Sequence, residues 1–384
     1  MTVSALTRPG QRDRLSEKLG EIDWRLAALL AFVAGLGGMM LYSIAGGHWT
    51  PWASAQLTRF FLLFGVMIVL SLIDLKVWYS LAYPIYIIAL VLLMATAVVG
   101  QTHLGGKRWL GVGHFTIQPS EIMKIGLVMA LGRFYHNCTA KQARWSWKLL
   151  IPAAMIAAPV LLVAKQPDLG TAIMLAVTGA VMMFMAGLTW KVLVAGVVAV
   201  SAAAVPIYMF LLKGFQKARI DVFLHPDRDP SGKGYHVIQA AIAAGSGGLL
   251  GKGYMLGSQS QLNYLPEKQT DFIFATVAEE FGFVGCFILL LAYGMIVAVG
   301  LRIASTSHSH FGRMTAAGVT AAFGFYVIIN GAMVIGLAPV VGVPMPLMSY
   351  GGTVMVTVMI GMGLVQAVRV HRYSELPRGR GFLF

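Results

Sequence analysis

Apolar residues along this chain come in long blocks rather than in alternation with polar ones, and short polar stretches separate the blocks. A helix rises about 1.5 Å per residue, so about 20 apolar residues cross the hydrocarbon layer of a membrane. The blocks predict spanning helices near residues 24–45, 55–73, 79–99, 119–136, 148–164, 169–187, 190–212, 271–301, 313–337 and 350–370. The expected fold is an all-α polytopic membrane protein with about ten transmembrane helices. A long loop, residues 213–270, separates the seventh from the eighth. Within it the apolar stretch Tyr235 to Ala244 predicts a short helix lying at the interface. The chain divides into a tail at 1–23, a transmembrane domain at 24–371 and a second tail at 372–384.

Composition supports this division. Hydrophobic residues make up 58% of the chain and charged residues 11%, too few charges to cover a water-facing surface. The net charge of +14 does not imply a nucleic-acid partner, because lysine and arginine gather in short connections, as membrane topology requires. One side of the ten spans receives Arg8, Arg12, Arg14, Lys18 and Arg25, then Arg133, Lys141, Arg144 and Lys148, then Arg302, Arg313, Arg369, Arg372, Arg378 and Arg380. Positive residues stay inside, so both tails are expected in the cytoplasm and the long loop outside. Met1 to Gly20 has no apolar core or cleavage site, so it reads as a tail and not as a signal peptide. Cys138 and Cys286 are too far apart in the sequence to suggest a disulfide framework.

With that parity the fourth, sixth, eighth and tenth helices all begin at the outer face, and each start carries polar residues. These are Gln118-Pro119-Ser120-Glu121, Gln166-Pro167-Asp168, Thr270-Asp271 and Ser349-Tyr350-Gly351-Gly352. Each has a structural reading and a chemical one. Asp168 suits a helix cap. Glu121 and Lys124, three apart, suit an ion pair on one helix face. Asp271 suits the first turn of a helix, where the dipole favours an acid, or a general base beside Glu267 and Lys268. Lys107-Arg108-Trp109 suits an interfacial anchor or a phosphate contact. Glu279 and Glu280 fall inside an apolar helix, where a charge costs about 2.5–3.5 kcal/mol and faces the protein interior. A buried ion pair is the plain reading, more so for Glu280, which turns away from Asp271.

Gly251-Lys252 lacks the glycine and hydroxyl residues of a phosphate-binding loop, and neither a His-Glu-x-x-His pattern nor a nucleophile elbow is present. Carboxylates and cations at the outer face are what remains for chemistry.

Four of these motifs resemble the SEDS family, in order and across the whole transmembrane domain. They are Gln118 to Glu121, Gln166-Pro167-Asp168-Leu169-Gly170, Leu265 to Ala275, and Ser349 to Thr353. Asp229-Pro230-x-Gly232-x-Gly234-Tyr235-His236 and Gly251-Lys252-Gly253 with Ser258 to Leu262 resemble the RodA branch in particular. The chain departs from many relatives at Gln269, where they carry histidine, and at Val354, where a small residue is common. The resemblance implies a peptidoglycan glycosyltransferase of the bacterial cytoplasmic membrane that polymerises lipid II and releases undecaprenyl pyrophosphate. It implies Asp271 as the catalytic carboxylate. Substrate contacts are then expected from Lys107, Arg108, Trp109, Glu121, Lys124, Lys165, Gln166, Asp168, Arg219, Glu267, Lys268 and Ser349. No cofactor or metal ligand set is called for, although Glu121 and Asp168 leave room for a divalent cation, magnesium or manganese. The implied partners are a class B penicillin-binding protein transpeptidase and the rod elongation complex. A lipid II flippase and a scaffold for the transpeptidase are the competing readings.

Overall fold

The computed structural model describes residues 15–377 except 104–105, 113–114, 140–141, 143–146, 212–213, 226–232, 263 and 266. The terminal arginines Arg8, Arg12, Arg14, Arg378 and Arg380, together with Lys141 and Arg144, lie outside the described residues. Helices occupy all ten expected positions. They are α2 (Trp24–Ile44), α3 (Ala53–Ser71), α4 (Leu75–Val99), α5 (Pro119–His136), α6 (Leu150–Lys165), α7 (Leu169–Met185), α8 (Trp190–Pro206), α12 (Ile273–Thr306), α13 (His310–Val334) and α14 (Gly352–Val370). A short α1 (Leu15–Gly20) precedes them, and α9 (Gly214–Leu224), α10 (Lys233–Ser246) and α11 (Ser258–Gln261) lie in the long loop. The interfacial helix expected at 235–244 is thus present as α10.

Seven of the described helices are long and apolar enough to cross a membrane. Of the other three, α7 has 17 residues, α8 has 17 and continues as a π-turn to Leu211, and α5 carries Glu121, Lys124 and Arg133. The charges of α5 are tolerated because protein, not lipid, surrounds it: every residue except Ile122 and Arg133 is buried. Gly126 and Gly132 let its backbone approach α4 and α13 closely, as small residues do between membrane helices. By contrast α3, α4 and α12 turn Phe61, Leu62, Ile87, Phe283 and Phe287 outward, the apolar surface a bilayer requires.

Caps follow from the sequence. Asp23 accepts from Arg25 N and Leu26 N, Asp74 from Lys76 N, Asp168 from Thr171 N and Ser309 from Gly312 N, which satisfies donors that the first helical turn leaves open. At one end of the bundle the residues just before α2 meet the end of α14 and the residues after it. Glu21 pairs with Arg372, and the Gln366 amide bridges the backbone of Asp23. The long loop covers the opposite end, here called the loop face.

Two features depart from expectation. The segment between α4 and α5 is not irregular but forms an antiparallel meander, β1 (Gln101–His103), β2 (Gly106–Val112) and β3 (Phe115–Ile117). Trp109 pairs with Gln101, and Leu110 with Ile117. The strands are too short for a periodicity of two to stand out beside twenty-residue apolar blocks. The second departure is in α12, which is broken at Gly282 (φ 63°, ψ −159°). In an unbroken helix Phe283 N and Val284 N would donate to Glu279 O and Glu280 O. Instead they donate to Gly248 O and Leu249 O, and the freed carbonyls of Glu279 and Glu280 accept from Lys252 N and Gly253 N.

The break requires close backbone approach. A Cβ at Gly251 (φ +82°) would stand 2.1 Å from Glu280 O. Gly251→Ala should therefore cost more than about 1 kcal/mol, seen as a lower melting temperature in detergent by circular dichroism. Gly245→Ala, where a Cβ meets nothing within 4 Å, should leave the melt unchanged.

Candidate active site

The loop face gathers its polar residues in two groups joined by α13. The first surrounds Asp271. Residues 267–272 form a tight turn in which Glu267 O accepts from Thr270 N and Phe272 N, with Glu267 itself at φ 50°. Three contacts hold that turn to the rest of the bundle. Ser349 Oγ donates to Thr270 O at 2.6 Å, Tyr350 N donates to Gln269 O at 2.8 Å, and Asn330 Nδ2 donates to Asp271 O at 3.0 Å. Asn330 Nδ2 also donates to Val343 O at 2.8 Å, so one side chain fixes both the acidic turn and the 341–343 connection. At Gly342, on that connection, a Cβ would lie 3.8 Å from Asp271 Oδ2. The Asp271 carboxylate therefore sits beside a backbone surface bare of side chain.

The second group lies one turn earlier on α13. The Lys124 ammonium, buried in α5, donates to Glu121 Oε1 at 2.6 Å and to the hydroxyl of Tyr326, and it lies 4.5 Å from that ring's centre. Tyr326 in turn donates to Glu121 Oε2 at 3.0 Å. Tyr326 and Asn330 are four residues apart and share a helix face. Asp168 caps α7 through Thr171 N and accepts from Gln118 Nε2 at 3.5 Å. Gly170 packs against Val341 O, which brings the start of α7 to the connection that flanks Asp271.

Lys268 points the other way. It is buried, donates to Ser260 O, and lines a cleft of about 430 Å³ with His48, Thr50, Trp52 and Gln261. Burial lowers its pKa from the ordinary lysine value.

Of the residues singled out in the sequence, Asp271, Lys268, Glu121, Lys124 and Asp168 thus line this end of the bundle. Glu267 is exposed beside them and accepts from Thr270 Oγ1 at 3.0 Å. The Ser349 hydroxyl is engaged with backbone, accepting from Met345 N as well as donating to Thr270 O. The Gln166 amide ties the α6–α7 turn to Leu93 O. Lys165 is exposed, and Trp109 is half-buried in β2. The side chains of Lys107, Arg108 and Arg219 lie outside the described residues. The ion pair considered for Glu280 falls instead on Glu279, which binds Lys252 at 2.8 Å, whereas Glu280 accepts from Ser43 Oγ at 2.5 Å.

Three residues of the site escaped the sequence reading. Asn330 and Tyr326 were polar positions within an apolar span. Arg59, the lone charge in α3, donates to the Tyr350 hydroxyl at 3.2 Å and stacks on its ring. An intramembrane cation is a signal in itself, and Arg59 carried it.

These features define a polytopic membrane protein with carboxylates and cations gathered at one face of its helix bundle. The pattern of the FtsW/RodA/SpoVE cell cycle proteins matches residues 23–374, and the chain belongs to that family. It is 42% identical over 307 residues to the peptidoglycan glycosyltransferase MrdB of Escherichia coli, covering 80% of this chain and 82% of that protein. Stage V sporulation protein E of Bacillus subtilis is 34% identical over 302 residues, 78% of this chain and 80% of that one. Among solved structures, a chain of a peptidoglycan synthase complex that coordinates polymerization and crosslinking superposes with a TM-score of 0.78. It is 33% identical and covers 92% of this chain and 99% of that chain. The rod shape determining protein RodA of Thermus thermophilus superposes with a TM-score of 0.69 at 28% identity, covering 92% and 98%.

Removing one member of a buried ion pair strands the other, at about 3–5 kcal/mol. Lys124→Met should therefore lower the melting temperature in detergent strongly. The double variant Glu121→Gln with Lys124→Met should recover part of the loss.

Proposed function

We propose that the loop-face pocket is the catalytic centre of a peptidoglycan glycosyltransferase that polymerises lipid II, with Asp271 as general base. The observation that carries this is the placement of Asp271. Its turn is held by Ser349, Tyr350 and Asn330, and its carboxylate sits beside the bare backbone at Gly342. A base must be held within reach of the proton it takes, and a rigid turn does that. The 4-hydroxyl of the acceptor's N-acetylglucosamine attacks the anomeric carbon of the donor's N-acetylmuramic acid, and Asp271 takes the hydroxyl proton. The new β-1,4 bond forms as the bond from that carbon to the pyrophosphate oxygen breaks. Undecaprenyl pyrophosphate leaves with the electron pair, and the anomeric centre inverts.

The leaving pyrophosphate needs positive charge. Lys268, which lines the cleft beside His48 and Gln261, and Arg59, which reaches the Tyr350 hydroxyl, are cations on this face, and we assign them that role together with Lys107, Arg108 and Arg219. Lys124 is matched by Glu121, so the pair serves to shape the pocket wall. Trp109, Gln166, Glu267 and Asp168 complete the surroundings of the sugar and phosphate groups. Among the described residues no three carboxylate, imidazole or thiol groups converge. Glu121 is held by Lys124 and Tyr326, and Asp168 caps α7, so a magnesium or manganese ion beside them would draw on the substrate's own phosphate oxygens.

We place the protein in the bacterial cytoplasmic membrane with the loop face outside. Lys18, Arg25, Lys76, Lys148, Arg302, Arg313, Arg369 and Arg372 all fall at the opposite face, which supports that orientation. A substrate with its sugars in water and its prenyl chain in lipid suits a pocket at this depth. A class B penicillin-binding protein and the elongation machinery are the proposed partners, supported by the likeness to a chain of a peptidoglycan synthase complex.

Purified protein given lipid II in detergent should make glycan polymer with no membrane to cross, which a flippase would not. Asp271→Asn should fold normally and lose about 10²–10⁴-fold in rate. Polymerisation by that variant near the wild-type rate would falsify the assignment.

A further inference from the structure

We infer that Glu279 is a positioning residue for this reaction, one that sets the Asp271 turn through α11 and Lys268. The inference rests on the reading of Asp271 as the base.

Glu279 is wholly buried, yet it does not face the Asp271 turn. Its Oε1 accepts from Lys252 Nζ at 2.8 Å, Gln259 N at 2.9 Å and Ser258 Oγ at 3.3 Å, and its Oε2 accepts from Ser260 N at 3.2 Å. A carboxylate offers about four acceptor positions; here Oε1 shares three donors and Oε2 takes one. Two of the four are backbone N–H groups of α11, so the carboxylate folds that turn onto the start of α12.

From α11 the path to Asp271 is short. Ser260 O accepts from the Lys268 ammonium, and Gln261 Nε2 donates to Ser43 O at 2.9 Å, which pins the same turn to α2. Lys268 lies within the turn that ends at Asp271 and Phe272. A misplacement of about 1 Å at a reacting group costs about 10²-fold in rate, so the carboxylate that fixes α11 matters to catalysis without touching substrate.

The charge is needed for more than the ion pair. The Lys252 side chain is 28% exposed, and water can replace its partner. The N–H groups of Gln259 and Ser260 need an acceptor on the protein. A glutamine at 279 keeps the size but turns one acceptor into a donor, which would face either Lys252 or the N–H of Ser260.

The test is lipid II polymerisation in detergent, with kcat and KM determined per folded molecule. Glu279→Gln should lose about tenfold to a hundredfold in kcat with KM within about twofold, and Lys252→Met should lose less than about threefold. Gly257→Ala leaves every charge in place, but its Cβ would stand 2.8 Å from both Glu279 Oε2 and Ser260 Oγ. It should reproduce the kcat loss in smaller measure, and it carries the test if Glu279→Gln does not fold. Wild-type kcat in Glu279→Gln would overturn the inference. So would a loss that only tracks the folded fraction, an equal loss in Lys252→Met, or an unchanged Gly257→Ala when that variant carries the test. Asp271→Asn run alongside separates the two readings. If it is active the base assignment fails, and if it is dead while Glu279→Gln is normal only the positioning role fails.

Discussion

At Gly282 the eighth spanning helix gives up two of its own hydrogen bonds, and residues 248–253 take up all four groups released. Backbone groups left open toward lipid are costly, so a helix break is stable where protein completes it. The exchange welds the middle of the long loop to α12. Gly247 and Gly251 permit it, since a side chain at either would run into the carbonyls of Ala278 or Glu280. The segment between Lys252 and Ser260 can reach Glu279 because the loop is already anchored there.

The opposite side of the pocket is built from a different kind of interaction. Glu121, Lys124 and Tyr326 satisfy one another inside α5 and α13. A lone charge at that depth would be expelled or neutralised, whereas a closed group of three is tolerated and stays put. One turn along α13, Asn330 ties Asp271 and the 341–343 connection together. The acid therefore sits between a loop held by exchanged backbone bonds and a helix held by a buried ionic group. Neither support is local in sequence, which is why the site assembles only in the folded bundle.

Much of this was legible beforehand for physical reasons. Ten apolar blocks became ten helices because a twenty-residue apolar run has few other places to go. Pro119 and Asp168 mark helix starts because a missing N–H and a capping oxygen belong there. Asp271 stood out because it opened a span at the same end as three other polar clusters. The β-meander stayed hidden because its strands are only three to seven residues long. Glu280 was the expected partner of a buried cation from helical phase alone, but the cation belongs to Lys252, and the break at Gly282 brings that residue to Glu279 instead.

By itself the sequence determined that the chain crosses a membrane many times, where its helices begin, and that acids and cations meet at the face carrying the long loop. These follow from the cost of exposing polar groups to lipid, which each stretch of chain meets on its own. Only the tertiary structure decided which acid pairs with which cation, that Ser349 and Asn330 hold the turn of Asp271, and that Arg59 and Tyr326 join the site. Hydrogen bonds reach about 3 Å, so partners separated by tens or hundreds of residues are chosen by packing and not by spacing along the chain.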